Sequence, residues 1–367
     1  MNNRSVTSLC ILCAILYAVH RASAQGSLTP PGAPAPTMKT LQQVEPRTPI
    51  TNTTAVTVSA SGSYYLTANI SVTNGTAITI TANGVTLDLG GFTVSSTAPG
   101  TSGNGISLAA GLSDIAILNG HITGGVTYSG GIYSGSGFSE GINYTSQEPS
   151  NVRVSGVSVA GCSNSGIHLG TNTSTVVDSC TVNTAGGVGI AASTVTHSTA
   201  YQCGNVAIEA NVASDCYGYS TGGAGLVASF TANNCYGLTT YNADGLVANN
   251  ANNCYGVCGG NGIGLNAIIA NNCYGQTSSD IGLQANSANN CTGVSNNGGW
   301  GLFAYLTAVG CNGQCTAGGG IGLEASWIGI GCVGFAPTGL GLSAYIANSC
   351  AGNGSNNYIA TYKYNMP

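Results

Sequence analysis

Eight cysteines (Cys216, Cys235, Cys254, Cys273, Cys291, Cys311, Cys332 and Cys350) recur through the back half of the chain at intervals of 19, 19, 19, 18, 20, 21 and 18 residues. A second motif keeps step with them: GLVA at 225 and 245, GLNA at 264, GLQA at 282, GLFA at 301, GLEA at 322 and GLSA at 341. Two motifs locked to one period define a solenoid, in which each repeat buries its apolar side only against its neighbours. The segments between turn residues are short and alternate apolar with polar, and the body has no helix-period stripe, so the expected fold is all-β. A unit of about 19 residues fits one rung of a parallel β-helix. The leucine framework of leucine-rich repeats and the GGxGxD of calcium-binding nonapeptide repeats are both absent. With rungs about 4.8 Å apart, the eight cysteines mark out roughly 34 Å of the axis.

The repeat ANNCYG at 251–256 explains the ladder. Alanine and cysteine are expected to point inward on either side of a tight bend. The second asparagine (Asn234, Asn253, Asn272, Asn290) suits that bend, because Asn tolerates a left-handed backbone and its amide can bond to the same amide one rung away. Cysteine packs as a small buried hydrophobe. Disulfides are the alternative, since residues stacked one rung apart fall within the Cα window of about 4.4–6.8 Å. The off-ladder Cys258 and Cys315 could bond locally to Cys254 and Cys311. Neither paired CxxC clusters nor accompanying histidines occur, so no metal and no cofactor are expected.

Residues 1–24 read as a signal peptide, with Arg4, the apolar run LCILCAILYAV and ASA before Gln25. That run of 11 residues is short of the roughly 20 a membrane span needs, and no later stretch resembles a span. Residues 25–50 form a Pro-rich leader in which Met38, Leu41 and Val44 space like one face of a short helix that could cap the first rung. The β-helix is expected over 51–360, irregular to about 200 and regular across 203–350, with 361–367 a tail. Beyond residue 24 the chain keeps Lys39, Arg47, Arg153 and Lys363 against 11 acidic residues, a net charge of 4 − 11 = −7. Nucleic acid and anionic membrane surfaces need clustered Lys and Arg, so both are excluded as partners. The expected location is secreted: extracellular, cell-surface or periplasmic.

LTPPGAPAPTMKTLQQVEPRTPI, then GSYYLTANI, then GVTLDLGGFTV, resembles the opening of secreted bacterial right-handed parallel β-helix repeat proteins of the pectate-lyase-like superfamily. The likeness is close over the first hundred residues, loose in NGSNNYIATYKYN, and rests on repeat grammar between them. It implies a right-handed coil and a superfamily that handles polysaccharides, but no agreed catalytic motif to carry over. Lyases of that superfamily use an Arg or Lys base, and here the body offers only Arg153. Its glycoside hydrolases use NTD, GHG and RIK strings, and none occurs.

The remaining catalytic candidates are Glu148, Arg153, His168 and Asp178, from neighbouring rungs. Counted back from the next cysteines, Cys162 and Cys180, Arg153 and His168 are offset by roughly 10 Å, too far for a ready-made dyad. His121 and His197 read as isolated polar residues. Binding candidates are Tyr217, Tyr236, Tyr255 and Tyr274, which each follow a ladder cysteine and should point outward in one row. Such a row either ties neighbouring rungs together or binds a neutral glycan or an extracellular protein. The function expected is a scaffold without catalysis that binds along one face. A polysaccharide-acting lyase or hydrolase is the alternative, and an envelope spacer that needs no ligand is a third reading.

Overall fold

The computed structural model describes residues 45–366, so the expected signal peptide and the expected leader up to residue 44, with its capping helix at Met38, Leu41 and Val44, lie outside the described residues. From Arg47 onward the chain is one unit. Of its 33 strands, 31 join a single hydrogen-bonded system whose pairings are parallel. They coil through about 17 turns of about 19 residues, and no helix interrupts them among the described residues. The fold is a parallel β-helix. Its strands run from Thr48–Ile50 to Ala351–Tyr364. Tyr362, Lys363 and Tyr364 still pair with Ile346, Ala347 and Asn348, so residues expected to be a tail belong to the last rung.

The coil has a wide part and a narrow part. Leu87, Ile117, Val154, Val177 and Val195 stack in one inward column. Ala213, Ala232, Ala251, Ala270, Ala288 and Ala308 continue it. Where the turns shorten, the filling residue shrinks, as close packing requires. This is why the front rungs look irregular in sequence and the back rungs do not.

In the narrow part the two motif glycines meet. A methyl placed on Gly256 would lie 2.2 Å from the carbonyl oxygen of Gly264, and one on Gly264 would lie 2.3 Å from the amide nitrogen of Gln276. The rung is thin enough there for backbone to rest on backbone. The Gly of Tyr-Gly and the Gly of Gly-Leu are one device.

The one antiparallel element among the described residues is a hairpin of Thr127–Ser129 and Ile132–Ser134, inserted into a front rung. Its Tyr133 reaches along the coil, and its hydroxyl lies 2.8 Å from Thr221 Oγ1. Glycines make room for it, since a methyl on Gly204 would touch the Tyr133 ring at 3.0 Å. Burial pushes the Tyr133 phenol up to about 12. No helix among the described residues is long and apolar enough to cross a membrane.

Candidate functional site

One corner of the coil is turned by a single left-handed residue per rung. Ser179, His197, Asp215, Asn234, Asn253, Asn272 and Asn290 hold φ between 47° and 55° there. Asn and Asp pay least for this conformation among residues with a Cβ. The amides also join rungs: Asn253 Nδ2 donates to Asn234 Oδ1 at 3.2 Å, Asn272 Nδ2 to Asn253 Oδ1 at 3.4 Å, and Asn234 Nδ2 to Asp215 Oδ1 at 3.1 Å. The first asparagine of each pair, for which the sequence reading assigned no role, forms a second ladder. Asn252, Asn271 and Asn289 donate to Asn233, Asn252 and Asn271 at 3.0–3.1 Å.

Immediately inside the corner, the eight ladder cysteines are buried. Cys254 Sγ lies 3.2 Å from the carbonyl oxygens of Ala232 and Asn252 and is positioned to donate to them. All thirteen cysteines between 162 and 350 are free thiols. The local disulfides do not form, because Cys254 and Cys258 bracket the strand Tyr255–Cys258 and an extended strand separates such positions by roughly 13 Å. Cys258 and Cys315 belong instead to a second buried column: Cys203, Ser220, Thr239, Cys258, Thr277, Ser295, Cys315. Its hydroxyls bond to backbone, as in Thr277 Oγ1 to Gly262 O at 2.6 Å. Burial pushes the Cys203 thiol up to about 12.

Beyond the corner stand the tyrosines. The rings of Tyr217, Tyr236, Tyr255 and Tyr274 stack with centroids 5.2, 4.9 and 4.4 Å apart and planes within 17°. Each is half-buried. Their faces are taken up by one another, so what they offer solvent is a row of ring edges and hydroxyls beside two rows of amides. No charged side chain enters the two asparagine rows or this tyrosine row between Asn233 and Asn290.

The four catalytic candidates do not converge. Glu148 accepts from the Asn172 amide nitrogen at 3.0 Å and from its Nδ2 at 2.9 Å. Arg153 is exposed between Ala116 and Val176 and makes no ion pair among the described residues. Cys162 stacks through Ala185 on Cys203, not in the column of Cys180, so the two cysteines are not a common reference for the offset. The strand Ile190–Thr196 measures the offset instead. Ala191 pairs with His168 and Thr194 with Val176, the partner of Arg153. Arg153 and His168 therefore lie one rung and three residues apart, roughly 10 Å along the strand direction, and form no dyad.

Two other groupings form instead. Asp178 Oδ1 accepts from Thr196 Oγ1 at 2.7 Å and meets His197 Nδ1 at 3.0 Å, while His197 Nε2 lies 3.9 Å from Asp215 Oδ2. His197 is therefore not isolated, and the hydrogen bonds from Thr196 and His197 hold the Asp178 carboxyl below its ordinary range. The ladder register, extended back from Asn234, leads to Asp215, His197 and Ser179, and Asp178 lies in the neighbouring row that later holds Asn233. The second grouping centres on Glu140, which accepts from Asn164 Nδ2 at 2.9 Å and from Asn143 Nδ2. Burial raises its carboxyl, opposed by His168 and Asn164. The His168 ring packs on Tyr144 with centroids 5.5 Å apart. Nothing periodic marks Glu140 in the sequence. Among the described residues no group of three or more His, Cys, Asp or Glu is arranged to hold a metal. Compared with protein-family models, curated proteins and solved structures, the chain matches none of them.

Proposed function

We propose that this chain is a secreted or cell-surface scaffold without catalysis that binds a neutral glycan along the face carrying Tyr217, Tyr236, Tyr255 and Tyr274. The observation that carries the reading is the stack itself, four phenols at rung spacing beside two amide ladders. Phenol and amide groups pair with the hydroxyls of an uncharged sugar, and a surface this poor in charge offers nothing to an ionic partner. Export is part of the proposal and rests on residues 1–24.

The second reading, a polysaccharide-acting enzyme, draws on one observation: a half-buried Glu140 with a raised carboxyl near His168 and Tyr144. Environments of this kind prepare a general acid.

One experiment separates the two readings. The purified protein is exposed to insoluble neutral and acidic polysaccharides, and retention and released reducing or unsaturated ends are read in the same samples. The scaffold reading expects retention without products, weakened about tenfold by Tyr236→Ala with Tyr255→Ala, a loss of roughly 1.4 kcal/mol. Products abolished by Glu140→Gln or His168→Ala would establish the enzyme. Retention that the tyrosine pair leaves unchanged would remove this face from the binding site.

A further inference from the structure

The sheet face between the Leu-x-Ala strand and the left-handed corner carries no charged residue from Ser229 to Asn348, yet it is where apolar side chains are left bare. Of the 17 large hydrophobics exposed among the described residues, 11 lie on this face, from Phe230 to Tyr364. Trp327 is 58% exposed, Leu306 48% and Ile330 41%. The bare stretch runs rung to rung from Tyr305 to Tyr364, while Asn249, Asn250, Asn286 and Ser287 separate Phe230, Ile268 and Ile269 from it. Monomers rarely leave large apolar patches in water.

The chain departs from its own repeat to make it. The outward row that holds Asn233, Asn252, Asn271 and Asn289 continues as Val309 and Ile330 before returning to Asn348. Two ladder amides are given up there for exposed branched aliphatics, which gains nothing for an isolated rod.

We propose that this face packs against the same face of a second copy of the chain, related by a twofold axis. Three arguments select that occupant. Leucine, valine and isoleucine stand among the aromatics, and aliphatic side chains suit a protein surface, not a sugar. The face has no charge, so its partner must also be uncharged, and this chain's own face meets that condition. The area suffices: eight rungs at about 4.8 Å by five residues at about 3.3 Å give roughly 600 Å² per copy, which reaches the lower bound of a specific interface, about 1,200 Å² in total. Flat sheets pack face to face about 10 Å apart, and an isologous contact closes without forming filaments. The tyrosine row and the Asn234, Asn253 and Asn272 ladder lie around the corner and stay open, while the row of Asn233, Asn252, Asn271 and Asn289 falls on the contact.

Light scattering and sedimentation equilibrium on the purified protein test it. The expected result is a doubled mass, with Val309→Asn, Ile330→Asn and Trp327→Ser together weakening dimerisation at least a hundredfold. The two asparagines are those the same row already uses, so the rungs keep a ladder. If the triple variant loses its thermal transition, Trp327→Glu decides alone by placing like charges in the contact. A wild-type protein that stays monomeric to roughly 100 μM, or a dimer indifferent to these changes, overturns the proposal. So does a monomer whose Trp327 fluorescence shifts on adding neutral polysaccharide, because that would make the face a glycan site.

Discussion

Substituting Gly256→Ala tests the thin cross-section directly. The added methyl would sit 2.2 Å from the Gly264 carbonyl oxygen and 3.0 Å from Leu265 Cβ. That same oxygen accepts the rung bond from the Leu246 amide at 3.0 Å. Relief therefore needs the two strands to part by about 1 Å, and no side chain can swing aside to absorb it. Overpacking a core costs about 1–3 kcal/mol, and weakening a buried backbone hydrogen bond adds about 1–3 kcal/mol, so the expected loss is about 3–5 kcal/mol. Gly100→Ala is the control, because a methyl there meets nothing within 4 Å. Its effect should stay within about 0.5 kcal/mol. Urea unfolding followed by the fluorescence of Trp300 and Trp327 measures both, and hydrogen exchange in Tyr255–Cys258 and its neighbours locates the damage. A Gly256→Ala protein within about 1 kcal/mol of wild type would refute backbone-on-backbone packing as the reason for the paired glycines.

Two further outcomes follow from the corner. Asn253→Ala should cost about 1–2 kcal/mol more than Asn253→Gly, because both lose the ladder amide and only alanine is strained at φ 52°; equal unfolding midpoints would sink that reading. A water-soluble thiol reagent should leave the thirteen buried cysteines unlabelled in the folded protein and label all thirteen once it is unfolded. Fewer than thirteen after unfolding without reductant would mean that disulfides had formed.

The regular rungs were legible because their chemistry repeats. Cys254 with Asn253 and Tyr255 announces an inward thiol, a left-handed turn and an outward ring, and the structure has all three. Asn252 was less legible: adjacent asparagines look alike, and only the register separates the one that turns the chain from the one that bonds along it. The facing glycines needed three dimensions, since Gly256 and Gly264 sit in different motifs and each has a local explanation as a turn residue. Glu140 was invisible for a different reason. Its partners Asn143, Asn164 and His168 stand in rungs of unequal length, so no fixed spacing points to it, while Arg153 looked promising only because it was the sole cation in the body.

In a coil whose rungs satisfy one another, a residue that follows the repeat is accounted for by packing, and the informative residues are the departures. The core column asks only for a small inward side chain, the corner only for one that accepts a left-handed backbone, and neither demand selects a ligand. Three departures add groups that stacking does not require. The hairpin carrying Tyr133 lengthens a front rung and anchors at Thr221. Asp178 and His197 put ionisable groups where later rungs put neutral amides. Val309 and Ile330 replace amides with bare aliphatics. The first is accounted for by its own contacts, because glycines along the coil are shaped to receive the ring. The second keeps inter-rung bonding with different partners. Only the third gives up bonding in the isolated rod, so it is the departure that calls for something outside the rod to pack against.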